Sequence, residues 1–506
     1  MAGEPTTIEE FIAQLQDWYA TNHDDFKTLF DKAVAGVQPI PPGQPESVCK
    51  DWSKATIDDL CSFFKEWYYW MPLVATGLEY IQKFSWLYYE NPDGLTFVTK
   101  GSGQTVSPGY TMTAEFVTLR GAFMDSEKDS HFLVQQWVEE LGTKQMSQFK
   151  RTEAKDYTSF NDFFIREVKD GARPVSDKDD ETVIVAPADC VINMIVDDLT
   201  AETQIQVKTV TLNVSQLLDG SPHADKFIGG TAVSCILMPN TYHRYHSPVS
   251  GKVIESNDSV VGDYFGIKDF PDLLHKGDVG YGYDYKVFET FRRGYLVMQT
   301  ANYGLVGMVP VGLNTIASVV FHSDKFGDKL ARITPADPPV DIVKGDEVGY
   351  FKYGGSLNIL LFEPGRFPSM TLLQGQRIGA FSPNATVQSN QAWQDSGITL
   401  QPANTASVRY TGGLWTANPA TGMVNADGND SFVAKPGYTL PGAFEGLLCG
   451  KIGESGAPFP IGNNATIPSG QSGNLFLCIN DDLNGEYGPG LTDNVGAVNV
   501  IIEIDP

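Results

Sequence analysis

Cysteine is sparse and scattered in this chain: six among 506 residues, at Cys49, Cys61, Cys190, Cys235, Cys449 and Cys478, with no CxxC pair. That excludes a disulfide framework and a thiolate zinc site, and it predicts a reducing, cytoplasmic location. Basic charge is short as well, 36 Lys and Arg against 62 Asp and Glu, leaving a net charge of −26. A field of that sign repels phosphate backbones and anionic bilayers, so neither nucleic acid nor a membrane is expected as a partner. The longest uncharged stretch, residues 295–321, is broken by Gln299, Asn302, Gly304, Pro310 and Asn314. It reads as two buried strands with a turn, not as a bilayer span. The first five residues, Met-Ala-Gly-Glu-Pro, have neither the basic nor the apolar segment of a secretory signal.

What is present suits ordinary globular cores, since 42% of the residues are hydrophobic. From residue 6 to about 90 the spacing predicts helices. Thr6 with Glu9, or Thr7 with Glu10, offers a capping box for a segment carrying Ile8, Phe11, Ile12, Leu15 and Trp18. Thr56 with Asp59 opens a second, through Leu60, Phe63, Phe64 and Trp67, and Pro39, Pro41, Pro42 and Pro45 separate the two. The aromatic run at residues 67–71 is read as helix-packing core. Short β-branched runs follow at 183–185, 230–237, 252–254, 295–298 and 356–362, an α+β core. Beyond residue 383 histidine is absent and the only basic residues are Arg409, Lys435 and Lys451. Short runs at 407–410, 446–448, 475–479 and 498–504 predict a separate β-sandwich. The expected layout is a helical region over 1–150, a β-rich core over 151–376 and a sandwich over 384–506.

Three segments of the core carry candidate chemistry. Asp189 ends Ala186-Pro187-Ala188-Asp189. Two histidines lie in Tyr242-His243-Arg244-Tyr245-His246-Ser247-Pro248. Lys344-Gly345-Asp346-Glu347-Val348-Gly349-Tyr350-Phe351 runs into Gly354-Gly355-Ser356. Alone, each reads as a turn or a surface loop. Together they supply an acid, a base and a hydroxyl nucleophile in chain order.

With Ser159-Phe160-Asn161-Asp162-Phe163-Phe164-Ile165-Arg166, Arg173-Pro174 and Val311-Gly312, these motifs make residues 159–367 resemble the phosphatidylserine decarboxylases and their soluble amino-acid decarboxylase relatives. The resemblance implies a self-processing enzyme with a pyruvoyl group. His246, held in one tautomer by Asp189, would take the proton of Ser356, and the alkoxide would attack the carbonyl of Gly355. Elimination would then cut the chain and leave the pyruvoyl group at Ser356, a ketone suited to accepting electrons as carbon dioxide leaves. His243 would handle the proton returned to the substrate α-carbon. Two residues depart from the family pattern: Leu357 stands where Thr or Ser is usual, and Cys190 where Gly is usual.

The helical region 6–150 resembles the extension of the fungal-type soluble relatives and, with an acidic composition unsuited to membrane docking, implies a free aromatic L-amino acid (tryptophan, phenylalanine or tyrosine) as substrate. The alternatives are decarboxylation of phosphatidylserine to phosphatidylethanolamine, and a non-catalytic carbohydrate-binding protein. A homo-oligomer is left open. The C-terminal region resembles the calcium-dependent, galactose-binding bacterial lectins through Gly413-Leu414-Trp415, Leu448-Cys449-Gly450-Lys451-Ile452-Gly453 and Asn480-Asp481. That resemblance implies Ca²⁺ held by Asp481, Asp493 and Asn494, with backbone carbonyls near Asn418 and Glu486.

Overall fold

The structure, a computed structural model, describes the chain except for residues 1–3, 43, 45, 73–76, 102–105, 198, 200–212, 269, 271–289, 314–317, 368–369, 372–373, 375–383, 403–404, 469 and 506. Pro45, Asn314 and the expected boundary at residue 376 therefore lie outside the described residues. The chain forms two compact units, Met1–Ile40 with Val48–Thr371 and Pro41–Ser47 with Leu372–Pro506.

In the first unit, helices Ile8–Thr21, Phe26–Ala35, Ile57–Tyr69, Pro108–Asp125 and Glu127–Met146 dominate the N-terminal part. The first starts where Thr7 accepts from the Glu10 N–H, while Glu10 reaches back to Thr6, so the two expected caps are shared. The third carries the full Thr56–Asp59 capping box, which satisfies two otherwise orphaned N–H groups. Trp67 is buried against Phe64 and Phe116, whereas Tyr69 is exposed, so only part of the aromatic run is core.

One antiparallel sheet runs in the order Val191–Val196, Thr231–Leu237, Gly355–Phe362, Leu305–Leu313, Arg293–Gln299, Gly251–Val260 and Arg332–Ile333, with Val340–Ile342 also on Gly251–Val260. Its strands separate two cores. One face, through Val309, Val311, Leu357, Ile359 and Leu361, packs with the helices. The other, through Cys235, Leu237, Met308, Leu360 and Phe362, packs with Tyr245, Val319, Val348 and Phe351 of a second sheet, Arg244–His246, Glu347–Phe351 and Val319–Val320. The first unit is thus helices, large sheet and small sheet in three layers.

The alternation fixes the register of Gly355–Phe362. Leu357, Ile359 and Leu361 are fully buried on the helical side. Ser356 and Asn358 therefore point to the face of the small sheet. Leu357, the departure from the family pattern, points away from Ser356's side.

The expected strand at 183–185 is a loop. The Val183 carbonyl is taken by Nζ of Lys344 at 3.0 Å, and Val185 N–H donates to the Pro248 carbonyl, so no ladder forms. The stretch 295–321 gives strands Arg293–Gln299, Leu305–Leu313 and Val319–Val320.

In the second unit two antiparallel sheets pack over one apolar core, and Asn429–Val433 pairs separately with Phe444–Glu445. One runs Asn384–Gln388, Val495–Asp505, Thr405–Gly412, Asn464–Thr466, and the other Gln394–Leu400, Gly473–Ile479, Leu448–Ile452, Phe459–Pro460. Val408, Trp415, Leu477, Ile479 and Val500 fill the space between them. The strand expected at 446–448 begins at Leu448, because Gly446 has φ of 79° and its N–H donates to the Asn480 carbonyl.

Candidate active site

The candidate motifs of the core are far apart in the chain, and hydrogen bonds draw several of them onto one another. Strand Glu347–Phe351 pairs with Arg244–His246. Ser247 N–H donates to the Asp346 carbonyl and Gly345 N–H to that of Ser247, at 2.8 and 2.9 Å. His246 N–H donates to the Pro187 carbonyl at 2.7 Å. Arg244 ties the remaining ends together, with Nε on the Ile165 carbonyl at 2.7 Å and Nη1 on Glu347 at 2.5 Å. Asn161, also buried, donates to Asp125 at 3.0 Å and accepts from the Tyr353 N–H at 3.1 Å. The segment leading into Ser356 is thereby anchored to the first motif.

Ser356 begins the central strand, with Leu237 opposite on one side and Gly312 on the other. Gly354 before it has φ of 153°, a region in which side chains are disfavoured. The Ser356 side chain is 2% exposed, and its Oγ is buried with no hydrogen-bond partner. A hydroxyl left so is rare and asks for an explanation in chemistry.

The two histidines lie in different surroundings. His243 is fully buried, its ring against Phe164 at 3.9 Å between centroids. Nδ1 donates to the Thr241 carbonyl at 3.1 Å, which leaves Nε2 as the basic nitrogen, and Nε2 has no partner. Burial first, and then the charge of Arg166, push its pKa down to about 3, so the ring is neutral at physiological pH. Arg166 is itself buried, with Nη2 donating to the Asn240 and Thr241 carbonyls at 3.0 Å each. Burial lowers the Arg166 pKa to about 10, which leaves its positive charge in place at neutral pH. His246 donates through Nδ1 to the Gly345 carbonyl at 2.9 Å and accepts from the Tyr242 hydroxyl at Nε2, 3.0 Å away.

Asp189 is not on His246, as was expected. Arg173 takes both of its oxygens, Nε to Oδ1 at 2.8 Å and Nη2 to Oδ2 at 2.7 Å. A bidentate guanidinium outcompetes a single imidazole N–H for a carboxylate, and the Gly345 carbonyl sets the tautomer of His246 instead. Cys190 hydrogen-bonds to Cys235 on the neighbouring strand.

The calcium expectation is not supported. Among the described residues no group of three or more His, Cys, Asp and Glu side chains could hold a metal ion. Asp481 is buried, with Oδ1 accepting from Asp482 N–H at 2.7 Å and Oδ2 from Asn494 at 2.8 Å. Burial, above all, raises its pKa. The Asn418 carbonyl is taken by Thr421, Glu486 lies in the 482–487 turn, and Asp493 ends the turn Gly490–Asp493.

Sequence reasoning missed the burial of Arg166 beside His243 and that of Asn358 on the same sheet face as Ser356. Arg166 stood in a quoted motif but gave no sign of its burial. Asn358 did carry a signal, a lone amide in Leu357-Asn358-Ile359-Leu360-Leu361.

Comparison with known proteins settles what class of chain this is. The family model for phosphatidylserine decarboxylase matches residues 160–382. The phosphatidylserine decarboxylase proenzyme of Clostridium novyi (strain NT) is 32% identical over 248 residues, 49% of this chain and 74% of the relative. That of Fusobacterium nucleatum is 31% identical over 238 residues, 47% of this chain and 70% of the relative. Phosphatidylserine decarboxylase proenzyme 3 of Schizosaccharomyces pombe is 31% identical over 208 residues, 41% of this chain and 19% of the relative. Such proteins are pyruvoyl-dependent carboxy-lyases made as proenzymes. The chain belongs to the phosphatidylserine decarboxylase family.

Those names correct three expectations together. The relatives are named for a membrane phospholipid, which overturns the free amino-acid substrate, the absence of a membrane partner and the cytoplasmic location. Net charge is an average over the whole surface and does not report on any one local patch. Among the described residues no helix is long and apolar enough to cross a membrane.

Proposed function

We propose that this chain is a self-processing decarboxylase that converts phosphatidylserine to phosphatidylethanolamine and carbon dioxide. The observation that carries the reading is the buried, unpartnered hydroxyl of Ser356 behind Gly354-Gly355, at the head of the central strand. Its family membership points the same way.

The residues present fit the making of a pyruvoyl group. Ser356 Oγ forms a bond to the Gly355 carbonyl carbon, and the peptide C–N bond breaks. The proton of Oγ passes to His246 and on to the freed nitrogen. Loss of the Ser356 α-hydrogen expels the Gly355 carboxylate, and water then replaces the nitrogen, which departs as ammonia. The carbonyl of Gly345 keeps Nδ1–H of His246 fixed, so Nε2 is the nitrogen that receives the proton. The Tyr242 hydroxyl sits on that same nitrogen and competes for it.

When present, the pyruvoyl group supplies a ketone that takes the substrate amine and draws in electrons as carbon dioxide leaves. His243 then has the other proton. Its unpartnered Nε2 would carry the proton that replaces carbon dioxide on the substrate carbon, and a ring whose burial disfavours the charged form would give that proton up readily. Arg166 adds to that effect, and Phe164 keeps water from the ring.

The test uses purified chain. A denaturing gel should show two pieces, 355 and 151 of the 506 residues. Phosphatidylserine vesicles should release carbon dioxide, and free tryptophan should not. An intact chain on the gel, as a non-catalytic carbohydrate-binding protein would give, overturns the reading. So does release from tryptophan alone.

A further inference from the structure

Gly355–Phe362 is apolar apart from two side chains, and both face the same way. Asn358 is completely buried, and neither Oδ1 nor Nδ2 has a hydrogen-bond partner. Its cross-strand neighbours are Cys235 and Pro310, neither of which offers a strong partner to an amide. A polar group buried without a partner has lost its hydrogen bonds to water and gained none in return. A leucine would occupy the place without that penalty, so folding does not call for an amide here.

What stands next to it does. Ser356 lies two residues earlier on the same sheet face, its Oγ equally unpartnered. Residues so related sit about 7 Å apart at Cα, a gap that a carboxamide and a hydroxyl close between them. On its other flank Ser356 is paired with Gly312, which brings no side chain to compete for the hydroxyl.

We propose that Asn358 is a positioning residue for self-cleavage, its Nδ2–H donating to Oγ of Ser356 as that oxygen loses its proton and attacks Gly355. The inference rests on the self-processing reading above. The donor must be the amide N–H, because the hydroxyl's own hydrogen has to leave for the base. An acceptor at that position would hold the hydrogen back. A hydrogen bond made only as charge develops speeds the step it serves, and it need not be formed beforehand. The titratable groups facing Asn358 across the ladder are Cys235 and, through it, Cys190. The hydrogen bond from Cys190, and then burial, push the Cys235 thiol well above its usual range, so it stays neutral.

The experiment follows cleavage of freshly translated full-length chain on a denaturing gel, alongside thermal unfolding. Asn358→Leu should slow cleavage about 10- to 100-fold while leaving the melting temperature equal or higher. Asn358→Asp places an acceptor there at high pH and a donor once protonated. Its cleavage rate relative to that of the wild-type chain should therefore rise as pH falls. A folded Asn358→Leu chain that cleaves at the wild-type rate overturns the proposal. If that variant does not fold, an Asn358→Asp profile parallel to the wild type's overturns it. Failure of the wild-type chain to cleave removes the self-processing reading itself, a result distinguishable from either.

Discussion

The hydroxyl of Tyr242 donates to Nε2 of His246 at 3.0 Å, with the two rings 5.7 Å apart and nearly parallel. In the proposed self-cleavage that nitrogen is the one that takes the proton of Ser356, and the hydroxyl occupies it. Tyr242→Phe should therefore speed self-cleavage by roughly fivefold, the worth of one neutral hydrogen bond. His246→Gln should slow it at least 100-fold. His243→Gln should cleave and yet release no carbon dioxide from phosphatidylserine. Time courses on gels, paired with carbon dioxide release, separate the two histidines. Equal loss of cleavage in both variants would sink the division of labour.

Arg173 and Asp189 form a unit of their own, and its loss should register in stability before it registers in chemistry. Both side chains are partly exposed, 37% and 28%, so solvent screening holds their coupling to about 1 kcal/mol. Asp189→Asn, Arg173→Gln and the double variant, compared by urea unfolding, should give a coupling of that size. Cleavage by Asp189→Asn should stay within about tenfold of wild type, well short of the loss from removing a catalytic base. A larger loss, unchanged by the second substitution, would mean that Asp189 acts on His246 after all.

Burial of His243 also makes stability depend on pH. Its folded-state pKa, about 3, lies below the ordinary 6.5. Between those values the unfolded chain binds a proton that the folded chain refuses. The contribution is fully present above about pH 6.5 and is lost progressively towards pH 3, at roughly 1 kcal/mol per pH unit. Urea unfolding at pH 7.5 and 5 should show a steeper fall for the wild-type chain than for His243→Gln. Parallel falls would show that the ring is not desolvated as described.

Much of this was legible in the residues themselves. Thr56 and Asp59 announce a helix start because their reciprocal hydrogen bonds are local, and the short strand-forming run in 356–362 announces a strand for the same reason. The glycines before Ser356 mark the candidate nucleophile. What was not legible is pairing at a distance. Asp189 reads equally well as the partner of His246 or of Arg173, and only the folded loop chooses the guanidinium. The segment 183–185 has strand-like residues, yet Lys344, far along the chain, claims its carbonyl. The tautomers of His243 and His246 depend on the Thr241 and Gly345 carbonyls, which no side-chain pattern encodes. The substrate class was misjudged because composition was asked to report on one local surface.

The place of Gly355–Phe362 between Thr231–Leu237 and Leu305–Leu313 has one more outcome. A break just ahead of Ser356 would leave the shorter product threaded through the middle of the longer one, gripped along both its borders. The halves would migrate together until denatured, and rejoining them from solution would be a meeting of two molecules instead of the folding of one. Maturation would then be a ratchet: the backbone opens once, and the architecture it built no longer needs it closed.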